Sequence, residues 1–307
     1  MRELSSTTRE TRFPHNIPTT AGKLQYVLDH LRRFANKFFG RPANRKTAIL
    51  AEMLAQLKAS VESVLPSTTT VTHAIVTSPD SMRLTDWEMD DVLDYLHIKN
   101  LIKAPDSLYS ISAAFAGTGH GLCKEYTKLY RCEAEDHLEF RNEDVLNVDF
   151  SDQALVMTTK GMQTYKSIGG GNADVDTELG YVEGLDDEET KELFEKIGKK
   201  MRNFVQRQRR KVTMILLTGT RVGEHRFKET LRDALEDLVA TQAMRAIDRS
   251  SSEDVTVDVY TVFATAKGAA EVAKRRLEAP VRCLWREDCE ALKAGKHQEE
   301  IGENVEL

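Results

Sequence analysis

The chain has 307 residues, 40% of them apolar and 30% charged, with 17 glycines and seven prolines. That length and balance describe a globular protein of one large domain or two lobes and exclude collagen-like and wholly disordered chains. The longest apolar runs, such as residues 214–217, fall far short of the ~18–20 residues a membrane helix needs. Lys and Arg total 43 against 49 Asp and Glu, a formal net charge of −6. No global basic field therefore draws in nucleic acid, and any such binding would need a local patch.

Residues 1–20 are rich in Ser and Thr, carry Glu3, Glu10, Pro14 and Pro18, and contain no apolar stretch of signal-peptide length. They read as a polar tail, and the acids and prolines disfavour a mitochondrial presequence. The chain is expected to be cytoplasmic, with nothing to separate cytoplasm from nucleus. Cys123, Cys132, Cys283 and Cys289 never form C-x-x-C. They are expected to be free thiols rather than a zinc site, a redox motif or a disulfide scaffold.

From Thr20, the residues Leu24, Val27, Leu28, Leu31, Phe34, Ala35 and Phe38 recur at helical spacing and predict a helix packed through that stripe. Gly40 and Pro42 end it. A second helix follows, with Ile49, Leu50, Met53, Leu54, Leu57, Val61 and Val64 as its expected inner face. Residues 71–77 are β-branched and suit a strand, and Thr85 with Glu88 forms a capping-box pattern opening a helix to about His97. A short strand at 101–103 and a small-residue helix over 107–116 come next. Residues 145–150, 154–159 and 162–167 predict three strands, the last two joined at Lys160 and Gly161. Then follow a helix over 186–210, a strand at 212–217, a helix over 223–239, a strand at 255–263 and a helix over 264–278. Alternating strands and helices make the class α/β.

Two charged segments invite a chemical reading. Asp90, Asp91 and Asp94 form D-D-x-x-D, the pattern by which prenyl-diphosphate enzymes hold magnesium, and a helix sets them on one face opposite Met89, Val92, Leu93 and Leu96. As a metal and catalytic site they would activate a diphosphate with terpene cyclase-like chemistry; as acids near a helix N-terminus they need no ligand at all. Residues 196–211 hold eight bases and no acid. The acids preceding them, with Glu192/Lys196 and Glu195/Lys199 four apart, match a helix dipole better than a phosphate track. There is no G-x-S-x-G or H-E-x-x-H, and Gly219 to Gly223 lacks the lysine of a P-loop. A strand, a glycine-containing turn and a helix there do leave free N–H groups where an anion could dock.

The order of 72–79 (THAIVTSP), 104–117 (APDSLYSISAAFAG), 145–159, 167–179, 216–235 and 262–275 resembles the nucleotide-binding domain of the seventy-kilodalton heat-shock chaperones, in the actin-like ATPase superfamily. Gly121 to Tyr126 (GLCKEY) and Ala266 to Arg275 (AKGAAEVAKR) are similar to its divergent filamentous-fungal members. The resemblance implies an actin-like (ribonuclease H-like) two-lobed fold: a tail at 1–20, a remnant first lobe at 21–144, a second lobe at 145–285 and a tail at 286–307. It places Asp149 at the start of the second phosphate motif, Gly169, Gly170 and Gly171 in the loop after its hairpin, and Gly219, Thr220 and Arg221 at the adenosine motif. Magnesium with ATP or ADP would be the cofactor.

The departures are specific. No D-x-G-T-T strand precedes residue 72, Asp149 is followed by Phe150, Ser151 and Asp152 instead of glycines, and the family's Glu-Pro is Ala104-Pro105. Without those groups a γ-phosphate lacks both water positioning and charge neutralisation. The expected protein is a degenerate nucleotide-binding or interaction module without efficient ATP hydrolysis, with weak or absent nucleotide affinity. An incomplete first lobe implies a homo-oligomer or protein partner covering it, and neither membrane nor nucleic acid as a partner.

Overall fold

The computed structural model of the protein describes residues 20–66, 69–79, 86–102, 108–124, 126–127, 140–165, 171–244 and 262–278. In chain order its elements are α1 (Thr20–Phe38), α2 (Arg45–Val64), β1 (His73–Ala74), α3 (Asp86–Tyr95), β2 (Lys99–Asn100), α4 (Ser110–Gly117), β3 (Glu143–Phe150), β4 (Leu155–Met162), β5 (Asn172–Asp176), α5 (Asp187–Gln206), β6 (Met214–Thr218), α6 (His225–Leu235) and α7 (Ala264–Glu278). The class is α/β. No helix among the described residues is long and apolar enough to cross a membrane.

The larger sheet has the order β5-β4-β3-β6, antiparallel through β5, β4 and β3 and parallel between β3 and β6. A parallel neighbour requires a crossover, and α5 supplies it. The period-2 alternation of β3 feeds two layers. Leu146, Val148 and Phe150 pack with Leu155, Met157, Ile215 and Leu217 under α5 and α6. Val145, Met162 and Leu216 point the other way, against Ile111, Ala114 and Phe115 of α4 and Ala264 of α7. Phe150 anchors the first layer, stacked on Phe227 at 4.5 Å and edge-on to Phe194. Helix α5 begins with a full capping box, Asp186 and Glu189 each accepting from the other's backbone N–H.

Helices α4 and α7 cross at the closest approach in the second layer. A methyl added at Gly117 would collide with the Ala264 carbonyl, and one at Gly268 with the Ala113 carbonyl. Only glycine allows the two backbones to lie this close. Around the crossing Ala113, Ala116 and Val272 join Ile102 and Leu108 in one apolar cluster.

Several expectations need correction. Lys160 and Gly161 are not a turn: β4 runs straight through them, Lys160 opposite Val145 and Gly161 opposite Asp144, and the third strand is β5. Lys160 is accommodated because its ammonium sits 3.8 Å from the centre of the Tyr109 ring. The strand expected at 71–77 is only His73–Ala74, and its parallel partner is Lys99–Asn100 rather than 101–103. Helix α3 ends two residues before His97, whose φ of 55° closes the helix while Ile98 N–H returns to Leu93 O. Cys123 is disulfide-bonded, not a free thiol. The strand expected at 255–263 lies outside the described residues except for 262 and 263, as do Ala104, Pro105 and both tails.

The α1 and α2 stripes are the largest departure. On α2 the buried positions are Thr47, Leu50 and Ala51, while Met53, Leu57, Val61 and Val64 are exposed. On α1 the whole apolar stripe faces outward, Phe34 being 71% and Phe38 77% exposed.

Because the α4/α7 crossing has no room for a side chain, Gly268→Ala is expected to force the helices apart at a cost of about 1–3 kcal/mol. Urea unfolding should show a lower midpoint at constant slope, while Gly223→Ala, where an added Cβ meets nothing, should leave the midpoint within error.

Candidate functional site

The α4/α7 face of the sheet is apolar at one end and polar at the other. Successive residues on this face of β3 are Val145, Asn147 and Asp149, and the register brings Thr158 of β4 opposite Asn147 and Thr218 of β6 opposite Asp149. Asn147, Thr158 and Thr218 are all buried. The Thr218 hydroxyl donates to Asp149 Oδ2 at 2.8 Å and lies 3.4 Å from the Asn147 side chain. Burial pushes the Asp149 carboxyl above its ordinary value, and the Thr218 hydrogen bond offsets this only in part. These residues lie at the carboxyl ends of two parallel strands, where ligands of open α/β sheets dock.

Two loops rim this polar end. The β3–β4 hairpin at 151–154 is closed by Ser151 N–H to Ala154 O. The β6–α6 turn starts at Gly219, whose φ of 104° and contact with the Phe150 carbonyl leave no space for a Cβ. Arg221 N–H donates to the same Phe150 oxygen at 3.0 Å. The Arg221 side chain donates from Nε to Asp152 Oδ1 at 2.7 Å, approaches Glu224 at 3.5 Å, and lies 4.3 Å from the centre of the Tyr181 ring. The hairpin and the turn are thus tied by one backbone and one charged contact.

Of the residues assigned by resemblance, Asp149, Gly219, Thr220 and Arg221 come together here although about seventy residues separate them in sequence. Gly171 precedes β5, its Cα against the Thr159 carbonyl, away from that rim. Gly169 and Gly170 lie outside the described residues. Sequence reading missed Asn147, Thr158, Thr218 and Tyr181. The signal was present: polar residues at alternate positions of otherwise apolar strands mark one sheet face that is polar while buried.

The aspartate cluster has a different environment. Asp91 is buried and bound bidentately by Arg33, Nε to Oδ2 at 2.5 Å and Nη2 to Oδ1 at 2.9 Å, with Lys37 Nζ at 2.7 Å from Oδ1. Lys37 also bonds Asp94 at 3.0 Å. Asp90 turns the other way and accepts from Asn100 Nδ2 at 2.6 Å. The three carboxylates therefore do not converge on one point. Trp87, beside them, stacks on His30 and lies under Arg33, whereas Phe115 and Tyr126 belong to the α4/α7 side. Burial pushes the Asp91 carboxyl up, but hydrogen bonds and charge from Arg33 and Lys37 outweigh it and hold it below its ordinary value. Among the described residues no group of three or more His, Cys, Asp or Glu side chains is arranged to hold a metal ion.

A shallow groove of about 730 Å³ between α5 and α6 is lined by both signs of charge, among them Lys191, Glu195, Lys199 and Arg226. It lies on the opposite face of the sheet from Asp149. Arg202 at its edge is held bidentately by Asp237.

No protein-family model matches the chain, and no curated protein matches it in sequence.

The Asp91 contacts carry a stability prediction. A carboxyl depressed in the folded state contributes fully above its unfolded value of ~3.9 and loses that contribution as pH falls through the lower folded value. Asp91→Ala leaves two cations facing a gap and is expected to cost about 2–3 kcal/mol, less than a fully buried pair because Arg33 and Lys37 reach water. Trp87 fluorescence should report α1 release in the variant at neutral pH and in the wild type only in acid, below the ordinary carboxylate range.

Proposed function

We propose that this chain is a degenerate heat-shock-chaperone-like nucleotide-binding module, an actin-like lobe that holds adenine nucleotide weakly and does not hydrolyse it efficiently. One observation carries the reading: the parallel pairing of β3 with β6 sets Asp149 beside Thr218 and the Gly219–Arg221 turn, so the two segments that the resemblance assigns to phosphate and adenosine meet at one rim. Three antiparallel strands, a crossover helix and a parallel fourth strand also suit the second lobe of that fold.

The chemistry at the rim supports weak binding without turnover. The Gly219–Gly223 turn is a strand-to-helix junction of the kind that suits an anion, but the Arg221 and Glu224 N–H groups are already spent on the Phe150 and Arg221 carbonyls. Arg221 brings a guanidinium to the rim, but Asp152 and Glu224 already engage it. Asp152 stands in the hairpin where close approach of phosphate to backbone would be needed, so it repels the ligand and competes for the arginine. The carboxyl of Asp149 is shifted toward its neutral form by burial, which weakens it as a magnesium anchor. The water-facing carboxylates at this rim, Asp152 and Glu224, are both drawn to Arg221, and neither is set to position a nucleophile for in-line attack.

The diphosphate reading of Asp90, Asp91 and Asp94 gains no comparable support. Asp91 has its two oxygens taken by two cations, and Asp90 points to Asn100. Their contacts suit a helix clamp.

Titration calorimetry with ATP and magnesium tests the proposal. Wild-type protein is expected to bind with a dissociation constant of ~0.1–1 mM and to release no phosphate above background. Asp149→Ala should abolish the heat, and Asp152→Asn, which frees Arg221, should tighten binding by about fivefold or more. No heat from wild type or Asp152→Asn would remove nucleotide from the proposal.

A further inference from the structure

Helix α1 is amphipathic in the reverse of the usual sense. Its polar side is turned to the protein: Arg33 and Lys37 reach Asp91, His30 stacks on Trp87, and Asn36 donates to the Ala43 carbonyl. Its apolar side is turned away, with Leu24, Val27, Leu28, Leu31, Phe34 and Phe38 all exposed. Single exposed apolar residues are ordinary, but six on one stripe are not. Counting ~200 Å² for an aromatic side chain, these residues with the neighbouring Phe39 expose on the order of 800 Å², above the largest patch of a typical monomer and equal to one side of a standard interface.

The spacing is that of a helix seam. Leu24, Leu31 and Phe38 are seven residues apart, and so are Val27 and Phe34, giving apolar a and d positions over two heptads. Helix α3 occupies the flank bearing His30, Arg33 and Lys37, so the opposite flank is the free one. That flank carries Leu28 and Ala35 beside the seam, with Arg32 and Gln25 behind them, so a second helix laid along it meets apolar side chains first and a single base at the outer edge. The stripe is also graded, aliphatic at Leu24, Val27 and Leu28 and aromatic at Phe34, Phe38 and Phe39. Two such stripes side by side in the same direction would crowd ring on ring at one end and leave a gap at the other. Run antiparallel, the aromatic half of each meets the aliphatic half of its mate, which evens the spacing and opposes the helix dipoles favourably.

We propose that the outward stripe of α1 is the interface of a two-fold homodimer, an antiparallel α1–α1′ pair centred near Leu31. Self-complementarity of one patch is what an isologous dimer requires. A membrane surface is the poorer fit. Arg33 and Lys37 are spent on Asp91 and Asp94, leaving Lys23 and Arg32 as the helix's own remaining cations, too few for the basic face that holds an interfacial helix to anionic lipid.

Light scattering on the full-length chain should give twice 34.7 kDa at micromolar concentration. Leu31→Glu and Leu31→Lys should each weaken self-association at least ~100-fold and run as monomers with unchanged far-ultraviolet circular dichroism. Mixing the two variants in equal amounts should restore the dimer, because opposite charges then face each other across the two-fold. A monomeric wild type overturns the proposal, as does a dimer indifferent to both substitutions or two monomeric variants that stay monomeric when mixed. Flotation of a monomeric wild type with phosphatidylserine-containing vesicles would overturn it in favour of a lipid surface.

Discussion

Strand β3 is the constraint from which the remaining geometry follows. It is paired along both edges, to β4 and to β6, and covered on both faces, so each of its residues has a fixed partner. A one-residue slip would carry Leu146, Val148 and Phe150 from the α5/α6 core to the opposite face and bury Asn147 and Asp149 among phenylalanines. The cost of that exchange locks the register, and the register alone decides that Thr218 stands beside Asp149. The chemistry at the rim is thus a consequence of core packing. Phe150 shows the coupling most directly: its ring fills the core against Phe227, while its carbonyl receives Arg221 N–H and limits Gly219 to a residue without a side chain.

The same strand has an apolar end under α4 and α7 and a polar end beyond them. The glycine crossing of Gly117 and Gly268 holds those helices close over Val145, Met162 and Leu216, and the polar residues of the same face come after them along β3. Buried Asn147 and Thr218 form one side-chain network with Asp149, and Thr158 lies opposite Asn147 on the same face. Burial holds the Asp149 carboxyl above its ordinary pKa despite the Thr218 hydrogen bond, whereas three contacts from Arg33 and Lys37 hold that of Asp91 below it. A half-buried and a fully buried aspartate of one chain are therefore driven in opposite directions by what surrounds them. One belongs to an open rim, the other to a closed clamp between α1 and α3.

Much of the sheet was legible from residue order because alternation of apolar residues has one physical meaning in a strand. Residues 145–150 and 212–217 were placed within two residues of β3 and β6, and the long helices within a few. The error at Lys160 and Gly161 has a clear origin. A lysine and a glycine together look like a turn, yet the ring of Tyr109, the N-cap of α4, offers the ammonium a cation–π seat that no local pattern announces. The site was legible only in part. Asp149 and the Gly219 turn were visible through resemblance, but Thr218 and Asn147 gain their meaning from a pairing between strands about seventy residues apart.

Helix α1 marks the boundary between the two kinds of information. Its spacing determined that a helix forms over residues 20–38 and which side is apolar, since those are properties of 3.6-residue periodicity and need no partner. It did not determine which side faces the protein. That choice lay with Asp91, more than fifty residues away, whose buried carboxylate is tolerable only with Arg33 and Lys37 upon it. Local sequence sets the conformations a segment can adopt and the faces it presents. Which faces meet is set by charges and surfaces that only the folded chain brings together.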